Sequence, residues 1–318
     1  MMVILIVVSI LLIAFLLNEY YYRVAGDNTQ DFLMRKGEKG GPYDAISFGS
    51  AYCRFGLDFS RCDIKGYNFG YSSQFFYYTN LMLHQYAKTC KKGGAVYLII
   101  ADLVFAKEGK GIYGAEEYIK FLSKDLLGDE FSVKAYIKAR FSLFYNPRLA
   151  VRCIKKMLGM TIPTQFDTLE TNQLTSQQVE AEADKRCKSW CRQFGLADTV
   201  TDIIPGELEE TFSKTRKILT DMIQYCLDND LKPVLVVTPV SKIMNDRLSD
   251  AFIEKVLFDN IHKANQQHVP FVNYLRDERF SDYKMYNNNA DFLNARSRKL
   301  FTDVLVNDTK DIINIANK

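Results

Sequence analysis

The stretch AVYLIIA, residues 95–101, decides the fold class of this chain. It is a continuous apolar run with several β-branched residues. Such runs are typical of strands that are buried on both faces, as in parallel sheets. A second run, VLVVTPV at residues 234–240, has the same character. The two runs predict a sheet that is covered on both sides.

The elements around these two runs predict how the sheet is connected. Shorter strands are predicted at about 44–49, 63–69 and 269–274. Helices are predicted at about 74–91, 173–194, 213–227, 248–266 and from 293, and the KKGG motif at 91–94 is read as the C-terminal stop of the first of them. Strands that alternate with helices predict an α/β fold, a doubly wound parallel sheet with right-handed crossovers.

The N-terminus predicts a membrane helix. Residues 1–17 read MMVILIVVSILLIAFLL, carry no charge and contain one polar residue, Ser9. As a helix this run rises about 25 Å, slightly less than the roughly 30 Å of a bilayer core. Tyr20, Tyr21, Tyr22 and Arg23 follow, and aromatic and cationic residues are typical of a membrane interface. We predict an uncleaved transmembrane anchor over residues 1–22 and a polar tether over residues 23–43.

The rest of the chain is predicted to form one domain, residues 44–318. Its residues 106–210 are charged and mostly helical by their periodicity, and they are interpreted as an insertion on top of the sheet. Because doubly wound sheets bind ligands at the carboxyl ends of their strands, a binding cleft is predicted there. The predicted cleft residues are Ser50, Tyr52, Asn68, Ser73, Asp102, Asp291 and Asn294.

Composition excludes several classes of function. The net charge is +3, and over the whole chain acids and bases are mixed, so nucleic acid is not predicted as a partner. The seven cysteines are an odd number at irregular spacing, which is not a disulfide framework. Cys187 and Cys191 share a helix face but lack further ligands, so no metal and no cofactor are predicted. The many Phe and Tyr residues favour core packing, and a surface that handles sugars is the alternative.

Four sequence blocks resemble a known family. They are YDAISFGSAYCRFGLDFS at 43–60, GYNFGYSSQFFYYTN at 66–80, KPVLVVTPV at 232–240 and NNNADFLNARSRKLFT at 287–302. In order and spacing they resemble the SGNH/GDSL-like hydrolases, in the membrane-anchored branch that includes the teichoic-acid D-alanine transfer protein and polysaccharide O-acetylation proteins. The resemblance covers about 45–105 and 212–306, and it implies a flavodoxin-like three-layer sandwich.

The resemblance also implies a catalytic triad whose three positions are substituted here. The family's nucleophile is the second Ser of a GSS motif, its base is a His of the final block, and an Asp three residues earlier orients that His. These positions fall on Ala51, Phe292 and Asn289, while Ser50 matches the first Ser of the motif. A second register places Asp291 at the Asp and Asn294 at the His, and it also lacks a His. A serine hydroxyl is a weak nucleophile without an imidazole to take its proton.

The remaining family positions are altered as well. The Gly of the second block that donates to the oxyanion falls on Ser73, and the third-block Asn falls within ADLVF, residues 101–105, which contains no Asn. The three histidines are His84, His262 and His268, and none lies where a triad base is expected.

These substitutions predict an inactive accessory or binding protein in the modification of a cell-surface polysaccharide or another envelope polymer. Its expected partners are the membrane and either a glycan or a membrane-bound O-acyltransferase. The alternative is an active serine acyltransferase or esterase, with Ser50 or Ser73 as nucleophile, Asp291 or Asp282 assisting, and Lys242 as a nearby base. A third possibility is a binding or structural membrane protein without a link to acyl transfer.

The side of the membrane is ambiguous in the sequence. Arg23, Arg35 and Lys36 follow the apolar run, and this charge bias favours a cytoplasmic body, as do the unpaired cysteines. The family resemblance implies a body outside the cytoplasm. We predict a single-pass protein with an extracytoplasmic domain.

Overall fold

The structure is a computed structural model that describes residues 2–27, 29–101, 104–106, 114–160, 169–195, 206 and 208–313. The chain divides into two compact units. The N-terminal unit contains Met1–Lys39 and Tyr113–Gln165, and the sheet unit contains Gly40–Ile112 and Phe166–Lys318.

The sheet unit is built on one parallel sheet. Its strands are β1 (Tyr43–Phe48), β2 (Gly66–Asn68), β3 (Cys90–Ile99), β4 (Lys232–Val237) and β5 (Phe271–Asn273). Their order is β2-β1-β3-β4-β5, and every neighbouring pair is parallel. This is an order of doubly wound sheets, with a switch point between β1 and β3. The predicted α/β class and the parallel sheet are therefore confirmed.

Helices on both sides cover this sheet. The helices of the sheet unit are α3 (Ala51–Gly56), α4 (Phe76–Tyr86), α10 (Ser176–Phe194), α11 (Leu208–Asp228), α12 (Lys242–Asn245), α13 (Asp250–Ile253), α14 (Asp259–Ala264) and α15 (Ala295–Ile313). The apolar periodicity that predicted α11 is the face it buries, which includes Leu219, Met222, Ile223 and Cys226.

One prediction within this unit is wrong, and one predicted helix has a feature that the sequence did not predict. The KKGG motif does not stop a helix, because residues 91–94 lie inside β3, and α4 already ends at Tyr86. Gly93 has a φ of 70°, and the register of β1 against β3 shifts between Tyr43 and Ala45, so the start of β3 is irregular. The helix predicted at 248–266 is interrupted by a π-helical turn, Glu254–Phe258.

The N-terminal unit begins with α1 (Met2–Tyr20), which continues into a π-helical turn, Tyr21–Ala25. The stretch Ile4–Ala25 is long and apolar enough to cross a membrane, and its side chains are mostly exposed. The polar segment predicted as a tether is not extended, because α2 (Gln30–Gly40) occupies most of it.

The end of α1 packs against helices from the middle of the chain. These are α7 (Val133–Arg140), α8 (Ser142–Tyr145) and α9 (Arg148–Met157). A small core of Ala25, Leu143 and Cys153 closes this contact. The same unit also contains α5 (Ala115–Tyr118) and α6 (Lys124–Leu127). Since α10 belongs to the sheet unit, the insertion predicted at about 106–210 does not form a single body on the sheet.

Candidate functional site

The turn after β1 has a shape that glycine alone fits. Gly49 has a φ of 151°, and a Cβ at this position would meet the carbonyl oxygen of Ile99 at 2.7 Å. The next residue, Ser50, accepts hydrogen bonds at its carbonyl from the amides of Cys53 (3.0 Å) and Arg54 (3.1 Å), and α3 begins at Ala51. The chain therefore turns sharply from strand to helix at residues 49–51.

The side chain of Asn68, at the end of β2, holds this turn in place. Its Nδ2 donates to the carbonyl oxygens of Cys53 and Leu57, each at 2.8 Å. Its Oδ1 accepts from the amide of Gly70 at 2.7 Å and from the Cys53 thiol at 3.1 Å. All polar atoms of the Asn68 amide are thus engaged with the protein, and its role is structural.

A cavity of about 1000 Å³ opens at the carboxyl ends of β1 and β3. Aromatic, hydroxyl, amide and guanidinium groups line it together. Its lining residues are Ser50, Ala51, Tyr52, Phe55, Ser72, Ser73, Gln74, Phe75, Ala101, Val104, Arg186, Ser189, Arg192, Asn287, Asn289 and Phe292. The volume is at the upper end of what small-molecule sites usually provide.

The structure brings most of the predicted site residues together here. Ser50, Tyr52 and Ser73 line the cavity, and so do the three triad-position residues Ala51, Asn289 and Phe292. Ser73 has a φ of 60°, a left-handed conformation at the position where the resemblance expects Gly.

The other predicted cleft residues have different places. Asn294 is buried and caps α15, since its Oδ1 accepts from the amide of Ser297 at 3.0 Å and its Nδ2 donates to the carbonyl oxygen of Lys284 at 2.9 Å. Neither Asn68 nor Asn294 is among the residues that line the cavity. Asp102 lies outside the described residues.

Asp291 anchors the wall of the cavity. Its carboxyl is buried, and Oδ2 accepts from the hydroxyl of Tyr52 at 2.9 Å and from Nε of Arg186 at 2.8 Å. The Arg186 guanidinium also lies 5.1 Å from the centre of the Phe292 ring. Because Arg186 belongs to α10, this ion pair ties α10 to the loop before α15.

Three half-buried phenylalanines give the cavity its apolar surface. The ring of Phe292 packs against Tyr52 at 5.0 Å and against Phe55 at 5.4 Å between centroids. Phe75 follows the β2 end and contributes the third ring. Half-buried aromatic rings of this kind offer flat apolar faces to a ligand.

Amide side chains supply hydrogen-bonding groups around the cavity. Gln74 donates through Nε2 to the carbonyl oxygen of Gly49 at 2.8 Å, and Asn287 donates through Nδ2 to that of Leu293 at 3.1 Å. Within the described part of the chain, the Oε1 of Gln74 and the Oδ1 of Asn287 are buried without a hydrogen-bond partner. Asn289 accepts from the amide of Phe292 at 2.9 Å and shapes the loop.

The described residues that line the cavity include no His, Lys, Asp, Glu or Cys, and their charged members are Arg186 and Arg192. The histidines are used elsewhere. His84 stacks on Tyr225 with centroids 3.9 Å apart, and burial lowers its pKa. His262 lies against Phe271, and His268 sits in a turn with a φ of 52°.

Two of the groups considered for an active enzyme, Lys242 and Asp282, do not line the cavity. Lys242 is exposed and pairs with Asp246 at 2.6 Å. Asp282 is exposed and caps a short turn by accepting from the amide of Lys284 at 2.9 Å. Among the described lining residues, a Ser50 or Ser73 hydroxyl therefore has no imidazole, carboxylate or amine to take its proton.

Cys53, two residues after Ala51, is not a substitute nucleophile. Its side chain is fully buried, and its thiol donates to Asn68. Burial raises the pKa of the Cys53 thiol to about 12. At neutral pH it is a protonated thiol, and the thiolate is the form that attacks.

Sequence reasoning missed six polar residues of the cavity: Ser72, Gln74, Arg186, Ser189, Arg192 and Asn287. Gln74 and Asn287 lie within the quoted second and final blocks, so proximity to strand ends could have indicated them. Arg186 and Arg192 lie on α10 at a spacing of six residues, and nothing in the sequence indicates that α10 reaches the sheet edge.

Fold and site together define an α/β protein with one candidate membrane helix among its described residues and a cavity at the strand ends. The described residues that line this cavity include no His, Lys, Asp, Glu or Cys. No protein-family model matches the chain, and no curated protein sequence is significantly similar to it.

Proposed function

We propose that this chain is a membrane-anchored SGNH-like protein without hydrolase activity, which binds a glycan during the modification of an envelope polymer outside the cytoplasm. Its partners in this proposal are the membrane and the glycan, or a membrane-bound O-acyltransferase that acts on it. The proposal rests on the sequence resemblance together with the side chains that line the cavity.

One observation carries the proposal. The three positions that the resemblance assigns to nucleophile, base and orienting acid lie on the same cavity, although Asn289 and Phe292 are more than 230 residues away from Ala51 in the chain. Such convergence is expected if the alignment of the blocks is correct. The side chains at these positions are a methyl group, a carboxamide and a phenyl ring, and none of them can accept a proton as a general base.

The lining of the cavity supports a glycan-like ligand. Sugars present apolar faces of C–H groups, which pack on aromatic rings such as those of Phe55, Phe75 and Phe292. Their hydroxyls donate and accept hydrogen bonds, and the cavity offers serine hydroxyl groups and the guanidinium groups of Arg186 and Arg192 as partners.

Ester hydrolysis by the purified full chain tests the absence of catalysis. We expect no hydrolysis of an acetyl ester above the buffer rate, and no difference between the natural chain and Ser50→Ala. A clear rate that disappears in Ser50→Ala would overturn the proposal and make Ser50 the nucleophile of an active esterase or acyltransferase.

Restoring the triad tests the family assignment. The triple variant Ala51→Ser/Asn289→Asp/Phe292→His is expected to hydrolyse p-nitrophenyl acetate faster than its matched control, Ala51→Ser/Asn289→Asp/Phe292→Gln. The control has the same hydroxyl and carboxyl groups but no imidazole, and removing general base catalysis typically costs 10²–10⁴-fold. Equal rates would show that these three positions do not have hydrolase geometry.

Direct binding tests the ligand class. Titration calorimetry with neutral cell-envelope oligosaccharides is expected to detect binding to the full chain. Phe292→Ala should weaken it at least about tenfold, since a central aromatic contact is commonly worth that much. Tyr145→Ala, which removes an exposed ring in the N-terminal unit, should leave it unchanged. No binding by any oligosaccharide tested, or equal binding by both variants, would contradict a glycan site in this cavity.

A further inference from the structure

Residues 131–160 differ in charge from the rest of the chain. They contain seven Lys and Arg residues and no Asp or Glu, although the net charge of the whole chain is +3. Aromatic residues alternate with these bases. The basic residues are Lys134, Lys138, Arg140, Arg148, Arg152, Lys155 and Lys156. The net charge of the whole chain therefore does not reveal the excess of positive charge in residues 131–160.

The same residues expose most of the apolar side chains that lie outside the candidate span. In the described part of the chain, twelve large apolar side chains outside Ile4–Ala25 are exposed, and ten of them lie within residues 133–160. These ten are Val133, Tyr136, Ile137, Phe144, Tyr145, Val151, Ile154, Met157, Leu158 and Met160. A concentration of this kind marks a surface that is covered by a partner or by lipid.

Helix α9 shows how charge and apolar surface are arranged. Ala150 and Cys153 face the interior of the N-terminal unit. Val151, Ile154 and Leu158 are three and four residues apart, so they form one outward stripe, and they are 54%, 51% and 71% exposed. Exposed bases, Arg148 and Lys155, border this stripe. An apolar stripe next to lysines and arginines is typical of helices that lie in a membrane interface.

The last turns of the candidate span connect directly to this surface. Asn18, a polar residue near the end of α1, is buried, and its Nδ2 donates to the carbonyl oxygen of Arg140 at 3.1 Å. The Arg140 guanidinium pairs with Glu19. Arg152 donates through Nε to the carbonyl oxygen of Ala25 at 2.6 Å, and Lys156 pairs with Asp27 at 2.6 Å. Helices α7, α8 and α9 therefore surround the end of the helix that would leave the bilayer.

The end of the candidate span indicates where this surface lies. The stretch that is long and apolar enough to cross a membrane reaches Ala25, and its last residues contact α8 and α9. Interfacial amphipathic helices bury their apolar face about 5–10 Å into the boundary between headgroups and acyl chains. An apolar surface around the end of this span would therefore lie at the depth where such helices insert.

We propose that α7, α8 and α9 form an interfacial platform, residues 133–160, that embeds its exposed apolar side chains in an anionic lipid surface around the end of the membrane helix. The occupant is the bilayer itself. Its acyl chains cover the apolar stripe of α9, and its phosphates pair with Arg148, Lys155 and the other bases. A nucleic acid would satisfy the bases but would leave ten apolar side chains in water.

Fluorescence quenching in reconstituted vesicles tests this proposal. The full chain is placed in vesicles of phosphatidylglycerol and phosphatidylcholine with brominated acyl chains, which quench nearby tryptophan. The single natural tryptophan, Trp190, is 1% exposed and gives a constant background. Ile154→Trp and Val151→Trp should each add strongly quenched fluorescence. The matched control, Leu227→Trp, replaces a 41% exposed leucine of the sheet unit and should add fluorescence that is not quenched.

Charge reversal tests the role of the bases. In the Ile154→Trp background, Arg148→Glu/Lys155→Glu should lower the bound fraction of the platform roughly tenfold or more, because each base near an anionic surface contributes measurably to binding. Lys185→Glu/Lys188→Glu, on exposed positions of α10, should leave the quenching unchanged.

Three results would overturn the platform. One is equal quenching for Ile154→Trp and Leu227→Trp, and another is quenching that is indifferent to charge reversal at Arg148 and Lys155. The third is Ile154→Trp fluorescence that brominated lipid does not quench but that changes when duplex DNA is added to the chain in detergent. This result would make the surface a nucleic-acid site.

Discussion

Asn68 determines the shape of the site although it does not touch the cavity. Its amide donates to the carbonyl oxygens of Cys53, in α3, and of Leu57, at the end of α3, and it accepts from one amide and one thiol. A single side chain with both donors and acceptors can hold two chain segments at once. The orientation of Ser50 and Ala51 towards the cavity therefore depends on a residue at the end of the neighbouring strand.

Removing this side chain should loosen the turn. Asn68→Ala removes the donor to the Leu57 carbonyl oxygen and the acceptor of the Gly70 amide, while the Cys53 carbonyl oxygen keeps only the Leu57 amide. We therefore expect a loss of about 2–3 kcal/mol in the free energy of unfolding. Urea titration of the full chain in detergent measures this change. Asn288→Ala is the control, because Asn288 accepts one bond from the amide of Gln173 and should cost less than about 1 kcal/mol. Equal losses of stability in Asn68→Ala and Asn288→Ala would refute this role of Asn68.

Ser73 holds a backbone conformation that suits glycine. Its φ of 60° is left-handed, and an L-residue there costs about 1–2 kcal/mol. Ser73→Gly removes this strain but makes the unfolded chain more flexible, so a net gain of about 0.5–1 kcal/mol in stability is expected. Ser72→Gly, next to it, gains no such relief and should lose a similar amount. Thermal unfolding of the two variants gives the comparison, and a destabilised Ser73→Gly would count against a strained Ser73.

At the level of individual residues, the sequence predicted Ser50, Tyr52 and Ser73 because each follows a strand or lies in a quoted block. It placed Asn68 and Asn294 in the cleft because position along the chain does not reveal where a side chain points. The side-chain amides of both residues are hydrogen-bonded to backbone groups. The pairing of Asp291 with Arg186 spans 105 residues, and such contacts have no local signal.

Among the elements, α10 completes the site. It begins with a capping box in which Thr175 and Gln178 bond each other's backbone, and this local pattern makes the helix predictable from its sequence. Its attachment to the sheet unit depends in part on the ion pair of Arg186 with Asp291. The Asp291 side chain is 5% exposed and the Arg186 side chain 35%, so the pair is shielded on one side only.

Breaking this pair should destabilise the chain more than replacing both partners. Arg186→Met leaves the buried carboxylate of Asp291 without its cation, and we expect a loss of about 2–3 kcal/mol. In Arg186→Met/Asp291→Asn, the amide oxygen still accepts from Tyr52 and no charge remains unpaired, so at least half of the loss should be recovered. The exposed pair of Lys217 with Asp221 is the control, and Lys217→Met should change stability by no more than about 0.5 kcal/mol. Strictly additive losses in the double variant would exclude the coupling.

Strands were easier to predict than the segments between them. The runs at 95–101 and 234–240 were correctly interpreted because β-branched apolar residues buried on both faces leave a clear pattern. The KKGG motif was misread, since glycines and lysines are common after helices, yet here they begin a strand whose first residues are irregular. The predicted tether contains a helix, because charged residues at 31–39 are compatible with an exposed helix as well as with a linker.

At the scale of the whole molecule, the chain keeps its thiols in the interior. None of the seven cysteines forms a disulfide, and six of them are buried. Burial raises the pKa of Cys53, Cys90 and Cys226 from an ordinary value of 9.0 to about 12. These three thiols come from α3, the start of β3 and α11, so the effect is distributed over the sheet unit.

The division of the chain into two units could not be predicted from the sequence, because it depends on contacts between α1 and residues more than 100 positions away.

The stability of the folded chain should therefore fall at alkaline pH. In the unfolded chain these thiols ionise above pH 9, whereas in the folded chain they stay neutral until about pH 12. Their contribution is complete below pH 9 and is lost as the pH rises towards 12, by about 1.4 kcal/mol per pH unit for each thiol. Urea titrations under reducing conditions at several pH values between 8 and 11 measure this slope. In Cys53→Ala/Cys226→Ala the stability at pH 8 is lower because of the cavities, but its decline above pH 9 should be clearly shallower. An unchanged decline would mean that other groups, such as Tyr97, whose pKa burial also raises to about 12, control the alkaline transition.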